Sequence, residues 1–223
     1  MRLLHLSLPV SDVASVAAYF RDVLQLEVAG DQVRIGWSTI QLQPANGRPV
    51  GGVHLAFNVP DNRFADAMSW LRARTPLQCN PEGLDYFALE SSWQSQSVYF
   101  TGPDGLILEL IGRRRLPASD RTGAFHGSEL TCLSEVGLPS HDVDAVREQS
   151  NQRFGLRPIS PPSPQFAPMG DDEGLLIVVA ADRLWFPEQK DLPNAQGLQL
   201  QVADVSGRGE LHDAALGWRV QAA

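Results

Sequence analysis

The sequence has 223 residues, of which 43% are hydrophobic and 20% charged, a composition that suits one large or two small globular domains. Its formal net charge is −8, from 18 basic and 26 acidic side chains, and this balance argues against a nucleic-acid partner. Two cysteines are too few for a disulfide framework, and no apolar stretch approaches the roughly 18 residues of a membrane span. These features predict a cytoplasmic protein with no membrane partner.

The first predicted unit is a strand, a helix and three further strands. Apolar and polar residues alternate over 4–8, which predicts a strand with His5 and Ser7 on one face. Ser11 or Asp12 then caps a helix whose apolar residues recur at helical spacing as far as Leu24. Short strands follow at 26–29, 33–37 and 39–43.

A second unit of the same kind begins with a strand at 53–57, which contains His54. A helix follows, with Phe64, Met68 and Leu71 on one apolar face. Strands are predicted near 86–90, 97–101 and 106–111. The segment Gly102-Pro103-Asp104-Gly105 has the composition of a hairpin turn between the last two.

The remainder of the chain repeats this pattern after a linker. A shift of 130 positions aligns Leu8-Pro9 with Leu138-Pro139, and Asp12-Val13 with Asp142-Val143, without a gap. We therefore predict three full units and a truncated fourth. The domain assignment is residues 1–115 as paired modules with the metal site, 116–129 as a linker, and 130–223 as a degenerate, truncated pair of modules. The basic run at 113–115 is interpreted as solvated arginines at a domain edge.

Three mid-strand residues are candidate metal ligands. His5 and His54 occupy corresponding points of the first two units, and Glu109 lies within the apolar run 106–111. Each residue alone is more often a solvated or structural side chain. Together, two imidazoles and one carboxylate would form a facial triad, which leaves coordination positions open for water and substrate.

These units and ligands resemble the vicinal oxygen chelate superfamily, which includes glyoxalase I, extradiol dioxygenases, fosfomycin-resistance enzymes and bleomycin-binding proteins. The segment 98–109, with its Pro-Asp-Gly turn before Glu109, is similar to the closing hairpin of the family. The resemblance covers nearly the whole chain for the fold and residues 1 to about 115 for the metal motif. It implies an α+β protein in which tandem βαβββ modules form cupped mixed β-sheets. It also implies a divalent metal ion held by His5, His54 and Glu109, with Fe2+ favoured over Zn2+, Mn2+ or Ni2+.

Three subfamilies of the superfamily each match this sequence only in part. The fourth ligand of glyoxalase I would lie in the strand 38–43, which has no carboxylate. Tyr99, ten residues before Glu109, matches a catalytic tyrosine of the extradiol dioxygenases, but no histidine lies between the ligands to move a proton. Fosfomycin-type enzymes share the tyrosine, yet the segment 91–97 lacks the cations that a phosphonate requires.

The second half is predicted to bind no metal. The shift of 130 residues places Glu135 where His5 stands, and a local match places Gln199 opposite His54. We expect this half to act as a structural partner or a substrate lid. A homodimer, or packing of this half against the first, would cover the strand edge left by the truncated unit.

The resulting hypothesis is a metal-dependent enzyme acting on a small molecule with vicinal oxygens, with a ring-cleaving dioxygenase slightly favoured. The alternative is a metal-free protein of the bleomycin-resistance type that binds or sequesters a small molecule. Trp37, Trp93 and Phe57 would line the pocket in either case. A third possibility, suggested by the truncated fourth unit, is a degenerate member that acts only through association.

Overall fold

The computed structural model describes residues 1–223 as fourteen β-strands and three α-helices. The first unit comprises β1 (Arg2–Val10), α1 (Val13–Asp22), β2 (Glu27–Ala29), β3 (Gln32–Ile35) and β4 (Ser38–Pro44). The second comprises β5 (His54–Val59), α2 (Phe64–Arg72), β6 (Phe87–Leu89), β7 (Ser95–Thr101) and β8 (Ile107–Arg113). The third comprises β9 (Cys132–Ser140), α3 (Val143–Phe154), β10 (Phe166–Asp171) and β11 (Gly174–Ala180). The fourth comprises β12 (Gln199–Ala203), β13 (Glu210–Asp213) and β14 (Trp218–Ala222).

The four units share one pairing rule, in which the first strand of a unit lies parallel to its last strand. The pairs are β1 with β4, β5 with β8, β9 with β11 and β12 with β14. In the third unit one of the three later strands is reduced to isolated bridges such as Pro158 with Met169, and the fourth unit has no helix. The predicted α+β fold of tandem modules is confirmed.

The four units form two seven-stranded mixed sheets that do not follow chain order. One sheet has the order β13-β14-β12-β1-β4-β3-β2, and the other has the order β10-β11-β9-β5-β8-β7-β6. The first unit therefore pairs with the fourth, and the second pairs with the third. The predicted pairing of the first two units within residues 1–115 is wrong, because β1 bonds to β12 and β5 bonds to β9.

The segment predicted as a linker joins two strands of the same sheet rather than two separate domains. Residues 114–131, which contain one short 3-10 helix (Gly127–Glu129) and no strand, connect β8 to β9. One continuous cluster of 47 buried residues spans both sheets, with Leu6 and Leu200 from one sheet and Phe57 and Leu108 from the other. The chain consequently forms one packed body rather than two domains with separate cores.

Local signals define the helices as predicted. The Asp12 side chain accepts a hydrogen bond of 2.8 Å from the Ser15 amide at the start of α1. Asp142, its counterpart in the repeat, caps α3 through the Ala145 amide at 2.9 Å. No helix is both long and apolar enough to cross a membrane.

A candidate metal centre

His54, Glu109 and Glu135 converge on the face of the second sheet that lies away from the core. They come from β5, β8 and β9, and β5 lies between the other two strands. Strand alternation sends Leu55 into the core and leaves His54 on the opposite face. The three side chains nevertheless remain buried, with 2–4% of their surface exposed. Buried carboxylates and imidazoles at such proximity need compensating charge.

The distances within the cluster are short. Nε2 of His54 lies 3.5 Å from Oε2 of Glu109 and 3.5 Å from Oε2 of Glu135. One potential ligand atom from each residue lies within 4.8 Å of those of the other two. Two ligands that each lie about 2.1 Å from an ion, at an angle of about 90–110°, are roughly 3.0–3.4 Å apart. The cluster therefore fits one small divalent ion after little adjustment.

The His54 imidazole is held so that Nε2 faces the two carboxylates. Its Nδ1 atom lies 3.2 Å from the Ile107 carbonyl oxygen, which fixes a proton on Nδ1 and leaves the Nε2 lone pair available. The Trp185 ring packs on the imidazole at 5.0 Å between centroids. A side chain at Gly137 would meet this ring, because a Cβ there would lie 2.7 Å from Trp185 Cζ2. Glycine at this position leaves room for both rings.

Glu135 divides its two oxygens between different partners. Oε1 accepts a hydrogen bond from Arg113 Nη2, whereas Oε2 faces His54. Arg113 is fully buried, and its guanidinium carbon lies 5.7 Å from the centre of the Trp93 ring. The predicted solvated role is wrong for Arg113, because β8 extends to this residue and directs its side chain toward Glu135.

The electrostatics of the cluster favour an extra positive charge. Burial, and then the nearby Glu135 carboxylate, raise the pKa of Glu109 to about 8. Burial alone would lower the pKa of His54, but the Glu135 and Glu109 carboxylates outweigh that effect and raise it. Without an ion, the site therefore retains protons that a divalent cation would displace. The donor set fits a divalent ion on both geometry and charge.

Tyr99 lies at the edge of this cluster. It pairs with Glu109 across β7 and β8, and its ring centroid is 6.3 Å from that of His54. Burial, followed by the carboxylates of Glu109 and Glu135, raises the pKa of Tyr99 well above its ordinary value. The phenol therefore stays protonated and can donate a hydrogen bond. The sequence expectation of Tyr99 as a site residue remains a prediction.

His5 lies in the other sheet and does not join this cluster. By strand register, the counterpart of His5 in the second sheet is Glu135. In the same way, Gln199 corresponds to His54, and Gln221 corresponds to Glu109. That sheet thus offers an imidazole and two neutral amides without a carboxylate. The predicted triad of His5, His54 and Glu109 is corrected to one in which Glu135 replaces His5, because modules two and three share a sheet.

The fourth position of the symmetric arrangement carries an apolar side chain. Glu109 follows Ile107, the partner of His54, by two residues on β8. The equivalent residue on β11 is Ile177, which follows Leu175, the partner of Glu135, by two residues. The second sheet therefore supplies three ligands and leaves one side of the cluster open to the cavity.

The cluster lies in a cavity of about 300 Å³. Six aromatic side chains contribute to its walls: Phe87, Trp93, Tyr99, Phe166, Trp185 and Phe186. Trp93 lines the cavity as predicted. Phe57 does not, because it points into the core, and Trp37 lies beside Arg2 on the other sheet.

Comparison with solved structures identifies the fold. The chain is similar to a candidate dioxygenase from Bacillus subtilis, with a TM-score of 0.63 and 14% identity over 100% of this chain and 85% of that one. It is also similar to glyoxalase I from Zea mays, with a TM-score of 0.56 and 15% identity over 99% and 91% of the two chains. A variant of the maize enzyme gives a TM-score of 0.60 and 13% identity over 99% and 92%. No protein-family model and no curated protein matches the sequence. At these identities the likeness defines the fold alone, and the fold is the one that glyoxalase I from Zea mays and the candidate dioxygenase share.

Sequence reasoning missed Glu135 as part of the cluster. The internal repeat already made it the counterpart of His5, a predicted ligand. The signal was therefore present in the sequence. The missing information was which two modules share a sheet, and the spacing along the chain does not encode it.

Proposed function

We propose that this chain is a metal-dependent enzyme whose substrate binds the ion through two adjacent oxygens. The observation that carries the proposal is the convergence of His54, Glu109 and Glu135, buried in one cavity with donor distances suited to a divalent ion. The fold supports the same class, because similar structures include glyoxalase I.

His54 Nε2 and one oxygen each from Glu109 and Glu135 would hold the ion. When bound, a divalent ion supplies Lewis-acid polarisation of substrate oxygens. The Ile107 carbonyl orients His54, and Arg113 orients Glu135. These outer partners keep the ligand atoms directed at one point.

Proton transfer is the reaction type that the chain's own groups suit best. Once an ion has displaced its proton, the Glu109 carboxylate can accept a proton from a substrate bound beside it. The Tyr99 hydroxyl lies on the adjacent strand as a protonated hydrogen-bond donor. The rings of Trp185 and Phe186 form part of the apolar wall of the cavity. A glyoxalase-like proton shift, from the carbon that bears the hydroxyl to the adjacent carbonyl carbon of a hydroxyketone, fits this set.

Ring cleavage has less support than the sequence suggested. That expectation was based on two imidazoles and one carboxylate, the set typical of Fe2+ oxygenases. The observed cluster has one imidazole and two carboxylates. Oxygen-rich sets also suit Mn2+, so the preference for Fe2+ loses its basis.

A metal-free binding protein is the second candidate. The aromatic walls of the cavity favour this candidate. The ion pair with Arg113 favours it too, because it already neutralises the negative charge of Glu135. Such a protein would bind planar ligands equally well with and without metal.

The deciding experiment loads metal-free protein separately with Mn2+, Fe2+, Zn2+ and Ni2+ and follows two reactions. Exchange of the C–H proton of small hydroxyketones in deuterated water is detected by nuclear magnetic resonance, and oxygen uptake is measured with catechols. Metal-dependent proton exchange supports the proposal, while oxygen uptake alone favours the dioxygenase. If no ion binds and planar aromatics still bind tightly, the binding-protein candidate replaces the enzyme.

A further inference from the structure

Arg183 brings a positive charge into the cavity that holds the candidate metal centre. It lies in the turn after β11, where its amide donates to the Ala180 carbonyl oxygen at 3.0 Å. Its side chain is half-buried and forms part of the cavity wall. The guanidinium carbon lies 5.1 Å from the centre of the Phe166 ring. Arg183 thus occupies the same cavity as the carboxylate cluster without pairing with Glu109 or Glu135.

The charge of Arg183 has no partner within the protein. The buried carboxylates of the cavity are already occupied, Glu135 by Arg113 and Glu109 by His54. Elsewhere, the arginines without a carboxylate partner are all exposed: Arg34, Arg48, Arg74, Arg121, Arg153, Arg157 and Arg208. Arg183 is therefore the one arginine that is both partly desolvated and unpaired. Burial lowers the pKa of Arg183, which indicates a cost that an anion would offset.

The remainder of the cavity wall is suited to a flat ring. Phe186 lies edge-on to Phe87 at 4.6 Å and to Tyr99 at 5.3 Å, so that these rings form a rigid aromatic group. On another side of the cavity, the ring centroids of Trp93 and Phe166 lie 6.4 Å apart. A volume of about 300 Å³ is at the small end of ligand pockets and accommodates a single-ring molecule.

We propose that the cavity binds an aromatic carboxylate, with its ring between the aromatic side chains and its carboxylate paired with Arg183. Two or more N–H groups of the guanidinium edge can bond a carboxylate while one face rests on Phe166. The opposite end of the ligand then carries the adjacent oxygens that face His54, Glu109 and Glu135. This last assignment rests on the proposed function, whereas the pairing with Arg183 does not.

The test compares two single-ring ligands that differ in charge and lack adjacent oxygens. Benzoate and neutral benzyl alcohol are titrated into the metal-free full chain by calorimetry, with quenching of tryptophan fluorescence as a second readout. Wild-type protein should bind benzoate at least about 10-fold more tightly. Arg183→Gln should remove that preference, and Arg183→Lys should retain part of it. Arg208→Gln, which removes an exposed arginine, should behave like wild type.

Equal binding of the two ligands by wild type, or a preference that survives Arg183→Gln, would overturn the inference. A loss of affinity for both ligands in Arg183→Gln would also count against it, because it would indicate damage to the pocket. Titration of 3,4-dihydroxybenzoate with and without metal separates the two proposals. A charge preference without any gain from metal would leave Arg183 as the carboxylate site and count against a metal ion as the group that binds the adjacent oxygens.

Discussion

Nε2 of His54 lies 3.5 Å from Oε2 of Glu135, although 81 residues separate them along the chain. This contact links the second and third modules, which the chain connects through residues 114–131. The site therefore forms only when the two modules share a sheet. Its chemistry depends on tertiary pairing rather than on a local motif.

Removal of the Arg113 charge should destabilise the protein strongly. Arg113→Met leaves Glu135 buried without its ion-pair partner, and breaking one side of a buried pair costs about 3–5 kcal/mol. Arg114→Met is the matched control, because Arg114 pairs with the exposed Glu90 and such pairs contribute about 0–1 kcal/mol. Urea unfolding of the metal-free variants measures both changes. Similar small decreases in the free energy of unfolding for the two variants would show that the buried Glu135 carboxylate does not need the Arg113 charge.

Metal binding should strengthen as the pH rises. The pKa of Glu109 is raised to about 8 in the metal-free fold, so this group stabilises that fold at low pH and the contribution disappears as the pH passes through about 8. A metal ion requires the carboxylate and displaces the proton. The metal-induced increase in unfolding temperature should thus be small near about pH 6 and larger near about pH 8.5.

Two variants check this pH profile. Glu109→Gln should lose the metal-induced increase, and Glu90→Gln, which alters an exposed carboxylate, should keep the wild-type profile. An increase in unfolding temperature that is independent of pH in wild type would argue against proton displacement from Glu109.

The two cysteines should differ in reactivity. Cys79 is exposed, whereas Cys132 is buried and its surroundings raise the pKa of its thiol to about 12, mainly through burial. Only about one thiolate in 10,000 would be present at Cys132 near pH 8. Ellman's reagent should therefore titrate one thiol in native protein and two after denaturation. Rapid labelling of the native Cys79→Ser variant would contradict the buried environment of Cys132.

The sequence predicted the individual modules more accurately than it predicted which two modules share a sheet. Alternation and capping located β1, β5 and α1, and the Pro-Asp-Gly turn located the β7–β8 hairpin with Glu109. The partnership of modules depends on antiparallel contacts such as Leu55 with Val136, between segments that the chain leaves far apart. Apolar strands occur in every module, so their presence does not distinguish the possible pairings of modules.

The unknown pairing of the modules also explains why His5, and not Glu135, was predicted as the third ligand. His54 and Glu109 belong to one module, so their proximity follows from the parallel pairing of β5 and β8. His5 and Glu135 are equivalent residues of different modules, and only the sheet order decides between them. The burial of Arg113 could not be predicted either, because a run of three arginines usually lies in solvent.

The most direct test of the metal centre is the metal content of two variants. One lacks the Glu135 carboxylate, and the other lacks the His5 imidazole. Protein reconstituted with Mn2+ or Zn2+ is freed of excess ion and analysed by plasma mass spectrometry. Wild type and His5→Ala should each retain about one ion per chain, and Glu135→Gln should retain almost none, because an amide is a poor substitute for a carboxylate ligand. Circular dichroism establishes that both variants are folded. Loss of the ion in His5→Ala together with its retention in Glu135→Gln would contradict the assignment of Glu135 to the metal centre.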